Sequence, residues 1–230
     1  MAEDAAEVTQ PQEEKARWPT HIKNLYGPVW KSVTNILGRG IDEEQPGFFT
    51  TRKEIAREML GMKLESRTDK LTGLFNEDGF NEVLNGLLPA LRKEQTESLI
   101  GYIDVNGLTE VNNSKGHEAG DDFIKKTAEI VAKNLRTSDL LARLHGDEFA
   151  FMLPGASIEQ AQQALGKVIE ALNQEGIQIS VGIVTLDLDN SRESLNNADS
   201  AMYIAKQRSK SEGGSQMEIK TNTNQQKKAA

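Results

Sequence analysis

The chain has 230 residues, no cysteine and a formal charge of -8 at neutral pH. That length suits one substantial domain with appendages rather than two full domains, and the missing thiols exclude disulfide staples, cysteine-held zinc and thiol nucleophiles. The negative charge disfavours nucleic acid and acidic membrane surfaces as partners. No apolar run reaches the roughly 20 residues of a membrane span, and Met1-Ala2-Glu3-Asp4 lacks the order of a signal peptide. The expectation is a cytoplasmic protein without membrane insertion, in which carboxylate, amide, hydroxyl and lysine groups carry any chemistry.

In chain order, residues 1–20 are acidic, rich in alanine and glutamine, and read as a disordered tail. Residues 21–68 read as a helical extension. Ile22, Leu25, Tyr26, Val29, Trp30, Val33 and Ile36 form one stripe broken at Pro28, and a second helix runs from Thr50-Thr51 toward Arg67 with Ile55, Met59, Met62 and Leu64 as a packing or dimerising stripe. The main domain spans 69–220, and 221–230 is a second tail. Within the domain the pattern predicts a helix from Asn76 to about Lys93, with Phe80, Val83, Leu84, Leu87 and Leu91 on one face, and an apolar strand from Ser98 to Asp104. Helix Asp121 to Asn134, a hairpin of Leu140 to Leu144 and Glu148 to Leu153 turning at His145-Gly146, and helix Ile158 to Asn173 follow. Strand Ile177 to Leu186, helix Arg192 to Lys206 and an edge strand Gln216 to Lys220 complete the order. This is an α+β arrangement: a central, mostly antiparallel sheet flanked by helices.

Asp104 ends a buried strand, and Asp147 sits at a hairpin tip about forty residues later. Carboxylates at such exits are costly to desolvate, and two from adjacent strand ends match what a magnesium ion bridging nucleotide phosphates requires. Asn106-Gly107-Leu108-Thr109 follows the strand directly, and its glycine lets backbone N–H groups approach an anion. Asn112 and Asp121 supply an amide and a carboxylate for one edge of a base, with Gly116 and Gly120 allowing tight turns between them. From spacing alone the plainer reading of this last pair is that Asp121 caps a helix starting at Asp122 and Asn112 stabilises a turn.

The motifs together narrow the reading. Ile103-Asp104-Val105-Asn106, Asn112-Asn113, Gly116-His117, Gly120-Asp121 and His145-Gly146-Asp147-Glu148-Phe149 resemble the GGDEF-domain diguanylate cyclases. Asp69-Lys70-Leu71-Thr72-Gly73-Leu74-Phe75-Asn76 is similar to that family's opening motif, Ser180-Val181-Gly182-Ile183 to its late strand, and Ala198 to Lys206 to its final helix. The resemblance covers residues 69–220 and implies a ferredoxin-like, nucleotidyl-cyclase palm.

By that resemblance, the chain is a homodimeric, magnesium- or manganese-dependent enzyme that condenses two GTP into cyclic di-GMP and pyrophosphate. Asp104, Asp147 and the Val105 carbonyl would hold the metal, with Glu148 in support. Asn112 and Asp121 would read guanine; Asn106, Gly107 and Leu108 would line the phosphates; Lys206 and Lys210 would neutralise them. Arg136 and Asp139, in an RxxD pattern, would bind cyclic di-GMP as a product inhibitor, with Arg143 assisting either site. The sequence departs from the pattern at His145, where the signature begins with glycine and a side chain would crowd phosphates or force an unfavourable dihedral. It departs also at Glu77-Asp78, Thr109 and Lys210, where more basic residues are usual. These changes motivate an alternative beside the enzyme reading, a catalytically degenerate domain that binds cyclic di-GMP or GTP as a sensor.

Overall fold

The apolar run from Ser98 to Asn106 is buried along nearly all of its length, with no regular alternation of wet and dry positions. A strand of that kind needs cover on both faces and strand neighbours on both sides. In the computed structural model, which describes residues 66–136 and 138–220, this strand is β1, the centre of a five-stranded sheet. The elements are α1 (Glu77–Glu94), β1 (Ser98–Asn106), α2 (Leu108–Lys115), α3 (His117–Asn134), β2 (Leu140–His145), β3 (Glu148–Pro154), α4 (Ile158–Gln174), β4 (Gln178–Thr185), α5 (Ser191–Glu212) and β5 (Gln216–Lys220). Strand order is β2-β3-β1-β4-β5. Every pairing is antiparallel except β4 with β5. The expected α+β fold with a mostly antiparallel sheet is what the chain adopts. The tail at 1–20, the helical stripes up to residue 65 and the tail at 221–230 lie outside the described residues. Ser66 and Arg67, expected to end the second helix, form a turn instead.

Because side chains alternate across a strand, β1 divides the core. Leu99, Ile103 and Val105 join Ile124, Val131, Leu165 and Leu172 beneath α3 and α4. Ile100 joins Phe80, Leu84, Leu91 and Ala198 beneath α1 and α5. Asp104 shares the parity of Ile100 and so faces α5. That helix lies close on the sheet because Gly182 has no side chain: a Cβ there would stand 2.1 Å from the Met202 backbone nitrogen and 2.3 Å from the Ala198 carbonyl oxygen.

Helix starts follow their caps where capping side chains exist. Asn76 accepts from the Gly79 N–H at the head of α1, Ser157 and Gln160 form a reciprocal capping box on α4, and Asn190 caps α5. Two differences from expectation matter for function. The segment after β1 is a helix, α2, and α3 begins at His117, four residues before the expected start. Asp121 therefore caps nothing; it lies inside α3. α5 likewise continues past Lys206 to Glu212.

Candidate nucleotide and metal site

The sheet register sets Asp104 directly opposite Glu148 on neighbouring strands. Two carboxylates so placed repel each other unless a cation stands between or beside them. The protein provides two partners. Lys206, on α5, donates from Nζ to Asp104 Oδ2, and the Nε2 of His145 lies 3.4 Å from Glu148 Oε2. Asp104 is 1% exposed, and its Oδ1 has no hydrogen-bond partner. Burial pushes the Asp104 carboxyl upward against the hydrogen bond of Lys206, and the charge of Asp147 pushes the same way. Glu148 is also raised, by burial first and then by Asp104, Asp147 and Asp199, with His145 opposing. For Lys206, burial works against the charge, but the Asp104 hydrogen bond and the neighbouring carboxylates raise it.

These groups open into a cavity of about 700 Å³ lined by Asp104, Glu148, Lys206 and Lys210. Asp199 and Tyr203 complete the same wall of α5. Positions 199, 203, 206 and 210 recur at helical spacing, so the wall is legible in sequence once α5 is extended past Lys206. Tyr102, half-buried behind the carboxylates, is pushed up to about 12 by burial and by the charges of Asp199, Glu77 and Glu148.

The hairpin tip is held from both sides. The Val105 N–H donates to the Asp147 carbonyl at 3.0 Å, tying the signature loop to the residue after Asp104. Gly146 takes the left-handed conformation with φ 50°, whereas His145 is the last residue of β2 and is not among the positive-φ residues. The imidazole is mostly exposed. The expected dihedral conflict at His145 does not arise, because the turn residue that needs a glycine is Gly146.

The other candidate residues fall into place unevenly. Asn106 is occupied structurally: its Nδ2 donates to Ser209 Oγ at 3.0 Å and its Oδ1 accepts from Ser180 at 3.1 Å. Gly107, with φ 87°, opens α2 without a side-chain cap, so the first amides of that helix, beside Leu108, have no capping side chain. Asn112 packs against α3 at Gly120, where a Cβ would approach its Oδ1 to 1.9 Å. Gly120 thus serves close packing rather than the expected turn, and it brings the Asn112 amide to the residue before Asp121. Gly116, with φ 88°, does make the turn. Asp139 is buried, with its carboxylate accepting from the Arg136 N–H at 2.7 Å and its carboxyl raised by burial; the Arg136 residue is exposed. Arg143 is committed elsewhere. Its Nη1 reaches both oxygens of Asp69 at 3.1 and 3.2 Å, and its Nε and Nη2 donate to the Gly146 carbonyl at 3.0 and 2.8 Å. In the sequence Asp69 stands out only as the first residue of the opening motif.

The fold is thus a mixed sheet flanked by helices, with a buried carboxylate near the end of its central strand facing an acidic hairpin and a lysine-bearing helix. The family model described as "Diguanylate cyclase, GGDEF domain" matches residues 66–212, and the chain belongs to the GGDEF family. Among curated proteins, it is 35% identical over 149 residues to the probable diguanylate cyclase DgcE of Escherichia coli K12, covering 60% of this chain and 14% of that one. It is 30% identical over 168 residues to the probable diguanylate cyclase DgcC of the same strain, covering 69% and 45%. The cyclic di-GMP phosphodiesterase PdeB of Shewanella oneidensis also matches, at 27% over 212 residues, 86% of this chain and 24% of that one. The chain thus spans less than half the length of these relatives. Among solved structures, the GGDEF-only form of TpbB (YfiN) from Pseudomonas aeruginosa superposes with TM-score 0.60 at 30% identity, covering 66% of this chain and 93% of that one. A microbial GGDEF domain studied with cyclic di-GMP gives TM-score 0.59 at 26% identity, covering 67% and 99%.

Proposed function

We propose that this domain condenses two GTP into cyclic di-GMP and pyrophosphate, each of two facing copies contributing one nucleotide. The observation that carries the reading is Asp104, buried at the cavity wall, with an unpartnered Oδ1 and a second carboxylate directly opposite. An oxygen-only donor set of Asp104, Asp147 and the Val105 carbonyl fits magnesium, or manganese, which would relieve both the orphaned oxygen and the facing charges. Among the described residues no group of three or more His, Cys, Asp or Glu is placed to hold a metal ion by itself. The protein would supply only part of the shell and leave the rest to phosphate and water, as is usual for this ion. When bound, the metal supplies Lewis acidity to the triphosphate and lowers the pKa of the attacking ribose hydroxyl.

The protein groups do the rest. Asp121 accepts the two protons that guanine, and not adenine, offers side by side, while Asn112 completes that edge. A wrong base leaves these polar groups unpaired, which is the source of selectivity. The uncapped amides of α2 at Gly107 and Leu108 receive phosphate, and Asn106 braces that corner through Ser209 and Ser180 rather than by direct contact. Lys206 exchanges Asp104 for the triphosphate, with Lys210 on the same helix face. Glu148 supports the metal end. Arg136, exposed at the surface, grips cyclic di-GMP phosphate for product inhibition, and Asp139 shapes that turn by accepting from the Arg136 N–H.

Purified protein given Mg²⁺ and GTP should release cyclic di-GMP and pyrophosphate, and Asp104→Asn should lower the rate by about 100-fold or more. Absence of product from concentrated wild-type protein would overturn the catalytic reading. A second reading has its own support: some relatives are named for cyclic di-GMP phosphodiesterase activity, which fits a GGDEF domain serving as a sensor. It predicts calorimetric binding of cyclic di-GMP, lost in Arg136→Ala, without turnover.

A further inference from the structure

We propose that Arg143 is a positioning residue: with Asp69 as its anchor, it fixes the turn that carries Asp147 and thereby sets the spacing of the Asp104 and Asp147 pair. The proposal rests on reading those two acids as metal ligands. Its basis is a chain of contacts that ends on backbone. One edge of the guanidinium clasps the Gly146 carbonyl through Nε and Nη2, and Nη1 lies on the Asp69 carboxylate. The Arg143 side chain is 13% exposed and that of Asp69 22%, so water screens the pair weakly.

Asp69 is itself tied down by local hydrogen bonds. Its Oδ1 accepts from the Thr72 N–H at 2.9 Å and the Thr72 hydroxyl at 2.7 Å, and its own N–H donates to the Leu74 carbonyl at 2.8 Å. Burial opposes ionisation of Asp69, but the Thr72 and Arg143 hydrogen bonds outweigh it and lower the carboxyl. The backbone repeats the attachment, since the Arg143 N–H donates to the Phe75 carbonyl at 2.8 Å and Phe75 bridges Ala142.

At the tip, two successive carbonyls are therefore held. Gly146 is held by Arg143, and Asp147 by the Val105 N–H beside Asp104. A Cβ on Gly146 would meet nothing within 4 Å, so no packing holds Gly146 itself. The planar fork of arginine spans a carbonyl and a carboxylate together, which a lysine ammonium does not do.

The test compares Arg143→Met and Arg143→Lys with wild type in amide hydrogen exchange and in Mn²⁺ binding followed by electron spin resonance with a non-hydrolysable GTP analogue. Both variants should speed exchange at Gly146, Asp147 and Glu148 by about tenfold or more. Exchange along the β1–β4 ladder should be unchanged. Mn²⁺ affinity should fall by a similar factor, while cyclic di-GMP affinity holds. Wild-type exchange at the tip in Arg143→Met overturns the proposal, as does loss of cyclic di-GMP binding with the tip unaffected, which would assign Arg143 to the product site. If the tip loosens in the variant but wild type binds no Mn²⁺, positioning stands and the catalytic reading falls. Should Arg143→Met not fold, Asp69→Asn removes the charged anchor while keeping the arginine and must give the same loosening.

Discussion

Asp139 shows how one buried carboxyl makes stability depend on pH. Burial raises it above the unfolded value of about 3.9. Between the unfolded and folded values the native state holds the proton that the unfolded chain has released, so stability falls as pH rises through that window. Asp139→Asn keeps an acceptor for the Arg136 N–H and removes the titration; denaturant midpoints measured from pH 4 to 7 should then lose that component of the slope. His145 makes a different prediction. With ordinary strand geometry and an exposed ring, it stores no strain for a glycine to release. His145→Gly should cost about 0.5–1 kcal/mol in chemical denaturation, the usual penalty for glycine in a strand.

Among the elements, α2 and α3 depend on a single missing side chain. Gly120→Ala would thrust a Cβ into Asn112 Oδ1. Because alanine favours a helix interior over glycine by about 1 kcal/mol, stability should change little while Asn112 is displaced. GTP affinity should drop by about tenfold and discrimination against ATP should shrink, as competition binding can measure. Gly182→Ala is the opposite case. Its Cβ would meet backbone of α5 on a buried sheet face, and the overpacking should cost about 3 kcal/mol by thermal or denaturant melting. The helices that sequence located well, α1 and α4, carry capping side chains and a clear apolar stripe. The two whose starts it missed, α2 and α3, lack a side-chain cap. α2 buries no residue and is capped by a glycine without a side chain, while α3 starts at His117 with no side-chain cap. Asp121 consequently looked like a cap from sequence. The role of Gly120 could not be read there at all, because it depends on a neighbour eight residues away across a helix pair.

For the molecule as a whole, the carboxylates were legible because Asp104 ends an apolar run and Asp147 sits in a recognisable signature. Their environment was not, since the facing of Asp104 with Glu148 is a matter of sheet register and the Lys206 contact spans 102 positions. If two copies must each present one GTP, initial rate per protein should rise with protein concentration and then level off as dimers saturate; a flat rate across a hundredfold dilution would count against facing copies. The two ends of the described chain also bear on assembly. Residue 68 bridges Phe75, which bridges Ala142 on β2, while the last described strand, β5, pairs only with β4. The described chain therefore enters two bridges outside β2 and ends on β5 at the opposite margin, six inter-strand gaps away, on the order of 30 Å. Fluorophores attached at Ser66 and Lys220 would act as a ruler laid across the strands, sensitive to any widening of the sheet and insensitive to sliding along it.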